Sequence, residues 1–304
     1  MRLSSTLLAL AVAGFLAPAA GAIPEWQGCD NTAHASLMHG RAEAQADFWL
    51  SLTRSLADPE TSFTEGLQEA WSEREEALEE AEAKYEAQLA VCAALGHVKY
   101  NPDLDPLDFS ENITNQYLPY TPGKTLIYEK MTPDGLERIE VTTLNDTIEV
   151  DGFLCRVVQD IAYLNGEVIE DTHDWFAQDL NGDVWYFGEI ALNYEDGFLD
   201  NLDGSWRTGR DDALPGVIMF QNPVIGTIYR EEYLPQEAED VAKIVDMGVT
   251  VDVPYGTFTN CLKVMAWTPL EPDAVEEKYY APGVGVVLEV DTETGERLEL
   301  IQIQ

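Results

Sequence analysis

DWFAQDLNGDVWYFGE, residues 174–189, decides the fold: two strand-like runs, WFAQ and VWYFGE, flank the pair Asn181-Gly182. Asn and Gly accept the positive φ angles of a tight hairpin, so the stretch predicts two antiparallel strands joined by a short turn. Runs rich in Val, Ile, Thr and Tyr continue on both sides of it from Gly123 onward, broken by turn pairs such as Asp134-Gly135 and Asn165-Gly166. Residues 122–304 therefore read as an antiparallel β domain. The domain repeats itself: PGKTLIYEK, VDGFLCRVV and EDTHDWFAQD can be laid in order over VIGTIYREE, VPYGTFTNCLKVM and VEEKYYAPGVG. Gly123 to Cys155 spans 32 positions and Gly226 to Cys261 spans 35, while Cys155 to Ala177 and Cys261 to Ala281 span 22 and 20. Two pseudo-repeats, about 122–190 and 222–290, are expected.

Upstream, the period changes. Leu67, Trp71, Leu78, Tyr85, Leu89 and Cys92 recur mostly at steps of three, four or seven, with Glu on the other face. A similar run spans residues 31–57; Asp58-Pro59 breaks the two apart and Gly96 closes the second. Residues 23–98 thus predict a helical hairpin, and residues 99–121, with three prolines from Pro102 to Pro119, a linker or wrapping segment. The fold class expected is α+β: an N-terminal helical hairpin, then a two-repeat antiparallel β domain shaped as a half-barrel or a sandwich. Ten acidic and two basic residues between Glu60 and Glu86 describe a solvated helical face.

Residues 1–22 carry the marks of a cleavable signal peptide: Arg2, an apolar run from Leu7 to Leu16, Pro18, and small residues Ala20, Gly21 and Ala22. The apolar run is too short for a spanning helix, and no later stretch is long and apolar enough to serve as one. Export to the periplasm or beyond is expected. The chain holds 17 Lys+Arg against 56 Asp+Glu, a net charge of -39, which excludes nucleic acid and anionic membrane surfaces as partners. At 45% hydrophobic residues it still supplies a packed core. The four cysteines, Cys29, Cys92, Cys155 and Cys261, imply disulfides in an exported protein. The hairpin puts Cys29 and Cys92 at one end, and the repeat makes Cys155 and Cys261 equivalent, so these two pairings are preferred.

DWFAQDLNGDVWYFGE, then DGSWRTGRDDALPGVIMFQNPVIGTIYREEY, VPYGTFTNCLKVMAWTPLEP and EKYYAPGVGVVLEVD, resembles in this order a group of uncharacterised secreted bacterial proteins with a Cys-to-Cys helical hairpin. The resemblance covers nearly all of the mature chain and implies no particular activity. More distantly, the VPYGTF strand with the YYAPGVG hairpin is similar to periplasmic half-barrel proteins, among them lipoprotein carriers and envelope-stress sensors. What that implies is a curved sheet around a hydrophobic cleft, and a binding or scaffolding role rather than catalysis; fold alone does not fix function.

The aromatics Trp175, Phe176, Trp185, Tyr186, Phe187, Tyr279 and Tyr280 alternate or cluster on predicted strands, so one set faces a core and the other is free for a groove. Trp175, Trp185, Phe187 and Tyr279 are the candidate ligand-binding set, for a small molecule, lipid or envelope protein. Asp179, Asn181 and Asp183, with Glu189, offer oxygens spaced to wrap a hard cation such as Ca²⁺. The position of a bidentate EF-hand Glu is Ile190, however, and a plain hairpin turn explains the same residues. His173 and Asp174 lie on opposite faces of a strand and cannot act as an acid–base pair. No GxSxG, P-loop, GxGxxG or HExxH occurs. A non-enzymatic binding or scaffolding module is the leading expectation, with a hydrolase using a carboxylate pair and a calcium-stabilised structural protein as alternatives.

Overall fold

A computed structural model describes residues 28–58 and 60–304; residues 1–22, read as signal peptide, lie outside them. Helix α1 (Gly28–Ala57) and helix α2 (Phe63–Leu95) form the expected hairpin. Ser62 begins α2 with a capping box, accepting from the backbone N–H of Glu65 while the Glu65 carboxylate reaches back to Ser62. Gly96 ends the helix at φ 98°, its N–H donating to the Cys92 carbonyl. The seam between the helices is built from small residues: a Cβ on Gly40 would stand 3.0 Å from that of Ala81. Farther along it Phe48, Leu52 and Ala70 form a small core with Leu67, and the Cys29–Cys92 disulfide, with Cα atoms 5.7 Å apart, ties its base.

The chain then passes through a short strand β1 (Phe109–Ser110) into β2 (Thr125–Thr132), β3 (Gly135–Val150), β4 (Phe153–Leu164), β5 (Glu167–Asp179) and β6 (Val184–Glu195). Strands β7 (Phe198–Asn201), β8 (Trp206–Arg207) and β9 (Leu214–Met219) follow. The second half contains β10 (Ile228–Arg230), β11 (Glu232–Tyr233), β12 (Val241–Val253), β13 (Gly256–Thr268), β14 (Glu271–Ala281), β15 (Gly285–Asp291) and β16 (Arg297–Ile303). All belong to one antiparallel sheet in the order β10-β12-β13-β14-β15-β16-β2-β3-β4-β5-β6-β9-β11, with β1, β7 and β8 attached at its side. The first and last strands of that order are separated in sequence by Glu231 alone, so the sheet curls into a nearly closed barrel. Its seam is tight, because a Cβ on Gly216 of β9 would lie 2.4 Å from the Glu231 carbonyl.

The two halves repeat in hydrogen bonds as well as in spacing. Gly123 N–H donates to the Thr143 carbonyl (2.8 Å) and Thr143 N–H to that of Lys124 (3.0 Å); Gly226, Ile244 and Thr227 make the same pair of bonds at 2.8 and 3.0 Å. The order β2 to β6 thus corresponds to β10, β12, β13, β14, β15. In each half the longest hairpin is bulged, between Thr143 and Thr147 in β3 and at three places from Ile244 to Val251 in β12. Bulges bend strands, and each hairpin tip contributes to an apolar cluster beside the main core. One, a satellite core, gathers Val150, Phe153, Cys155, Trp175, Ala177 and Phe187; the other gathers Tyr128, Val251, Cys261, Ala281, Val287, Leu288 and Leu300 and packs against Leu126, Ile139, Val141 and Val286.

This bending corrects one expectation. Cys155 and Cys261 occupy equivalent strands but are not bonded; both are fully buried free thiols. Each is carried into a different apolar cluster, and burial pushes the Cys155 thiol up to about 12.

The main core lies inside the barrel and draws on both halves, with Val158, Phe176, Val184 and Tyr186 meeting Ile244, Leu262, Val264 and Tyr280. Residues 99–121 wrap and enter it. Ile113, Tyr117 and Leu118 are buried there. Asn115 accepts from the N–H groups of Tyr117 and Leu118 and donates to the Gly182 carbonyl, while Gly283 N–H donates to the Gln116 carbonyl (2.8 Å). The segment thereby spans the β5–β6 and β14–β15 turns, which are equivalent in the repeat. The base of the helical hairpin docks over the seam, where Gln88 donates to Glu239 (2.8 Å) and the Arg230 guanidinium lies 4.5 Å from the Tyr233 ring.

Candidate functional site

Inside the barrel the main core is incomplete: a cavity of about 260 Å³ opens between the two halves. Strand alternation dictates what it meets. Leu126 of β2, Ile139 and Val141 of β3, Val158 of β4, Val286 of β15 and Leu298 of β16 supply an apolar wall. Tyr120, Phe176 and Tyr186 supply an aromatic one, as a continuous stack with centroids 4.8 and 4.7 Å apart and interplanar angles of 27° and 18°. Tyr128 and Tyr280 complete it, the Tyr128 hydroxyl donating to the Val286 carbonyl (2.9 Å). At the edge the Lys124 ammonium donates to the Val284 carbonyl (2.9 Å).

Set into this lining beyond Lys124 are four ionisable side chains, Asp160, Asp174, Lys278 and Glu289. Lys278 is opposite Glu289 in the β14–β15 pairing, and that carboxylate above all holds its ammonium protonated. Asp174 receives the Tyr186 hydroxyl at 2.6 Å, and the same oxygen lies 2.7 Å from the Glu189 carboxyl. One hydroxyl carries one proton, so it donates to one carboxylate and accepts from the other only if that one is an acid. Burial pushes Asp174 up to about 6, and burial with the neighbouring Asp174 charge pushes Glu189 up to about 9; the proton of the pair resides on Glu189. Asp160 is raised well above the carboxylate range, by burial first and then by the Asp174 charge.

The aromatics facing the cavity are the set opposite to the one expected. Trp175 and Phe187 pack in the satellite core with Phe153, and Trp185 lies partly buried beside them. Tyr279 stands on the outer face, its hydroxyl donating to Glu277 (3.0 Å) and its ring 5.3 Å from the Lys263 ammonium. Parity explains the exchange: Asp174, Phe176 and Tyr186 share the inner face, which turns their odd-numbered strand neighbours outward.

The oxygen-rich turn does not close on Glu189. Asp179 accepts from the N–H groups of Asn181 (2.8 Å) and Asp183 (2.9 Å), and Asp183 accepts from that of Gln221 (2.8 Å). These carboxylates cap the β5–β6 turn, whereas Glu189 belongs to the buried pair with Asp174. Among the described residues no three His, Cys, Asp or Glu side chains are grouped to hold a metal ion. The Asp174–Glu189 pair also lacks the geometry of a glycosidase, since its two carboxyls touch one hydroxyl and only Asp174 lines the cavity, leaving no room for a bond between them.

Asp160, Lys278, Glu289 and Tyr120 were not singled out by sequence. A signal existed for the first: Asp160 is two positions from Val158, and Asp174 two from Phe176, so each acid shares a strand face with a core residue.

No family model matches the chain, and no curated protein matches it. Among solved structures a candidate lipoprotein from Parabacteroides distasonis ATCC 8503 is similar, at 13% identity and a TM-score of 0.33, covering 62% of this chain and 99% of that one. Among the described residues no helix is long and apolar enough to cross a membrane. The Cys29–Cys92 bond fits an oxidising, extracytoplasmic compartment.

Proposed function

We propose that the chain is an exported binding protein, without catalytic activity, whose barrel holds a small molecule or lipid fragment with an apolar body. The observation that supports this reading most is the cavity itself, left open where both halves contribute to one core. Close-packed interiors rarely keep a void much larger than a water molecule, and an apolar wall with a few convergent polar groups is the usual form of a ligand site. At about 260 Å³ the space lies near the lower end of such sites, which favours a single short chain or ring system over a two-chain phospholipid. The periplasm is the destination that suits it best.

Calorimetric titration with decanol tests the proposal. Binding at a single site per chain, abolished in Val141→Trp, whose indole occupies the cavity, is the expected result. Binding that survives this substitution in a folded variant would move the ligand elsewhere.

A further inference from the structure

The polar wall of the cavity is unbalanced. It contains three carboxyls, Asp160, Asp174 and Glu289, and two ammoniums, Lys278 and Lys124, the latter turned to the Val284 carbonyl. Two of the carboxyls are committed. Glu289 lies opposite Lys278 across the β14–β15 pairing and its charge helps hold that ammonium protonated, while the ammonium makes its ion pair with Glu276 at 3.5 Å; Asp174 takes the Tyr186 hydroxyl beside the protonated Glu189. Asp160 is different. Protein walls it in, and among the described residues nothing donates a hydrogen bond to its carboxyl; what surface it keeps faces the cavity. A carboxyl enclosed without a donor is costly, and the cost falls when a cationic donor arrives.

Resting on the reading of the cavity as a ligand site, we propose that its ligand carries a protonated amine on an apolar body, and that Asp160 receives the amine. The apolar side of the cavity, Leu126, Ile139, Val141 and Val286, takes the body. An anionic head is disfavoured because Lys278 is paired with Glu276 and set opposite Glu289, Lys124 is turned to the Val284 carbonyl, and the remaining ionisable groups are acids. A metal ion is disfavoured because hard cations need several oxygens converging at one point. The Lys124 ammonium at the edge is turned to the Val284 carbonyl, so it does not oppose an entering cation at close range. The net charge of -39 draws cations toward the protein from a distance.

The test uses the mature protein and three probes of equal chain length, decylamine, decanol and decanoate, titrated calorimetrically at about 0.5 M salt, where surface charges are screened within a few ångströms. Decylamine is expected to bind about tenfold or more tightly than decanol, the factor a charge-assisted hydrogen bond supplies, with decanoate weakest. Asp160→Asn, which keeps shape but has no proton to give up when an amine arrives, is expected to abolish the preference for decylamine over decanol. If decylamine and decanol bind alike, or decanoate binds best, the amine assignment is overturned while the cavity remains a ligand site. If none of the three binds, the cavity reading fails with it. Should Asp160→Asn fail to fold, the ranking of the three probes on the unmodified protein decides alone.

Discussion

Glu231→Gln tests the closure of the barrel through the pH dependence of stability. Glu231 lies at the seam between β10 and β11, 4% exposed, and among the described residues its Oε1 atom has no hydrogen-bond partner. Burial pushes its carboxyl from 4.5 up to about 8. A carboxyl whose value is raised in the folded protein contributes stability that is fully present below its unfolded value and is lost as pH rises toward the folded value. Between pH 4.5 and 7 the unfolded chain has released this proton and the folded one has not, a difference of 2.5 pH units or about 3 kcal/mol. Glutamine has no proton to lose. The substitution therefore stabilises the protein by about 3 kcal/mol more at pH 7 than at pH 4, whatever constant cost the added amide donors impose at both. Urea unfolding followed by tryptophan fluorescence at a series of pH values reads this directly. A stability difference between the two proteins that stays level from pH 4 to 7 would show Glu231 ionised and solvated, and the seam open.

Reducing Cys29–Cys92, which closes 63 residues, is expected to cost the helical hairpin about 4 kcal/mol and to lower its melting transition while leaving that of the barrel in place, as read by circular dichroism. Cys155 and Cys261, both 0% exposed, should resist a thiol reagent in the native protein and react only in denaturant, so rapid labelling of the folded chain would contradict their burial. Gly216→Ala should destabilise by about 2 to 3 kcal/mol in urea titrations, because the new methyl meets the Glu231 carbonyl, and a neutral outcome would mean that β9 does not press on the seam.

The sequence was most legible where structure is local. Asp58-Pro59 and Gly96 bounded the helices, and Ser62 with Glu65 carried a capping signature that would have placed the start of α2 at Phe63. The repeat was legible too, because Gly123 and Gly226 hold their hydrogen bonds at matching points of the two halves. Equivalence, however, is not proximity. Cys155 and Cys261 match in the repeat and belong to different apolar clusters, one around Val150 and Phe187 and the other around Val251 and Leu300, with bulges in β3 and β12 bending the two hairpins. Alternation divided the aromatics into two sets correctly but could not say which set faced inward, since that depends on the direction in which the sheet curls. The cavity was beyond reach for the same reason: Asp160 and Lys278 sit on β4 and β14, and only closure of the barrel sets them around one space.

The central claim is that the space between the two halves is where a ligand lies. Methyl NMR spectra recorded during a decanol titration test it most directly. The account predicts that the methyl signals of Ile139, Val141, Val158 and Val286 shift together and saturate at one equivalent, while those of Val150 in the satellite core stay in place. Shifts confined to methyls beside the exposed Trp49, Phe63 and Trp71 on the helical hairpin, with the cavity methyls unmoved, would contradict it.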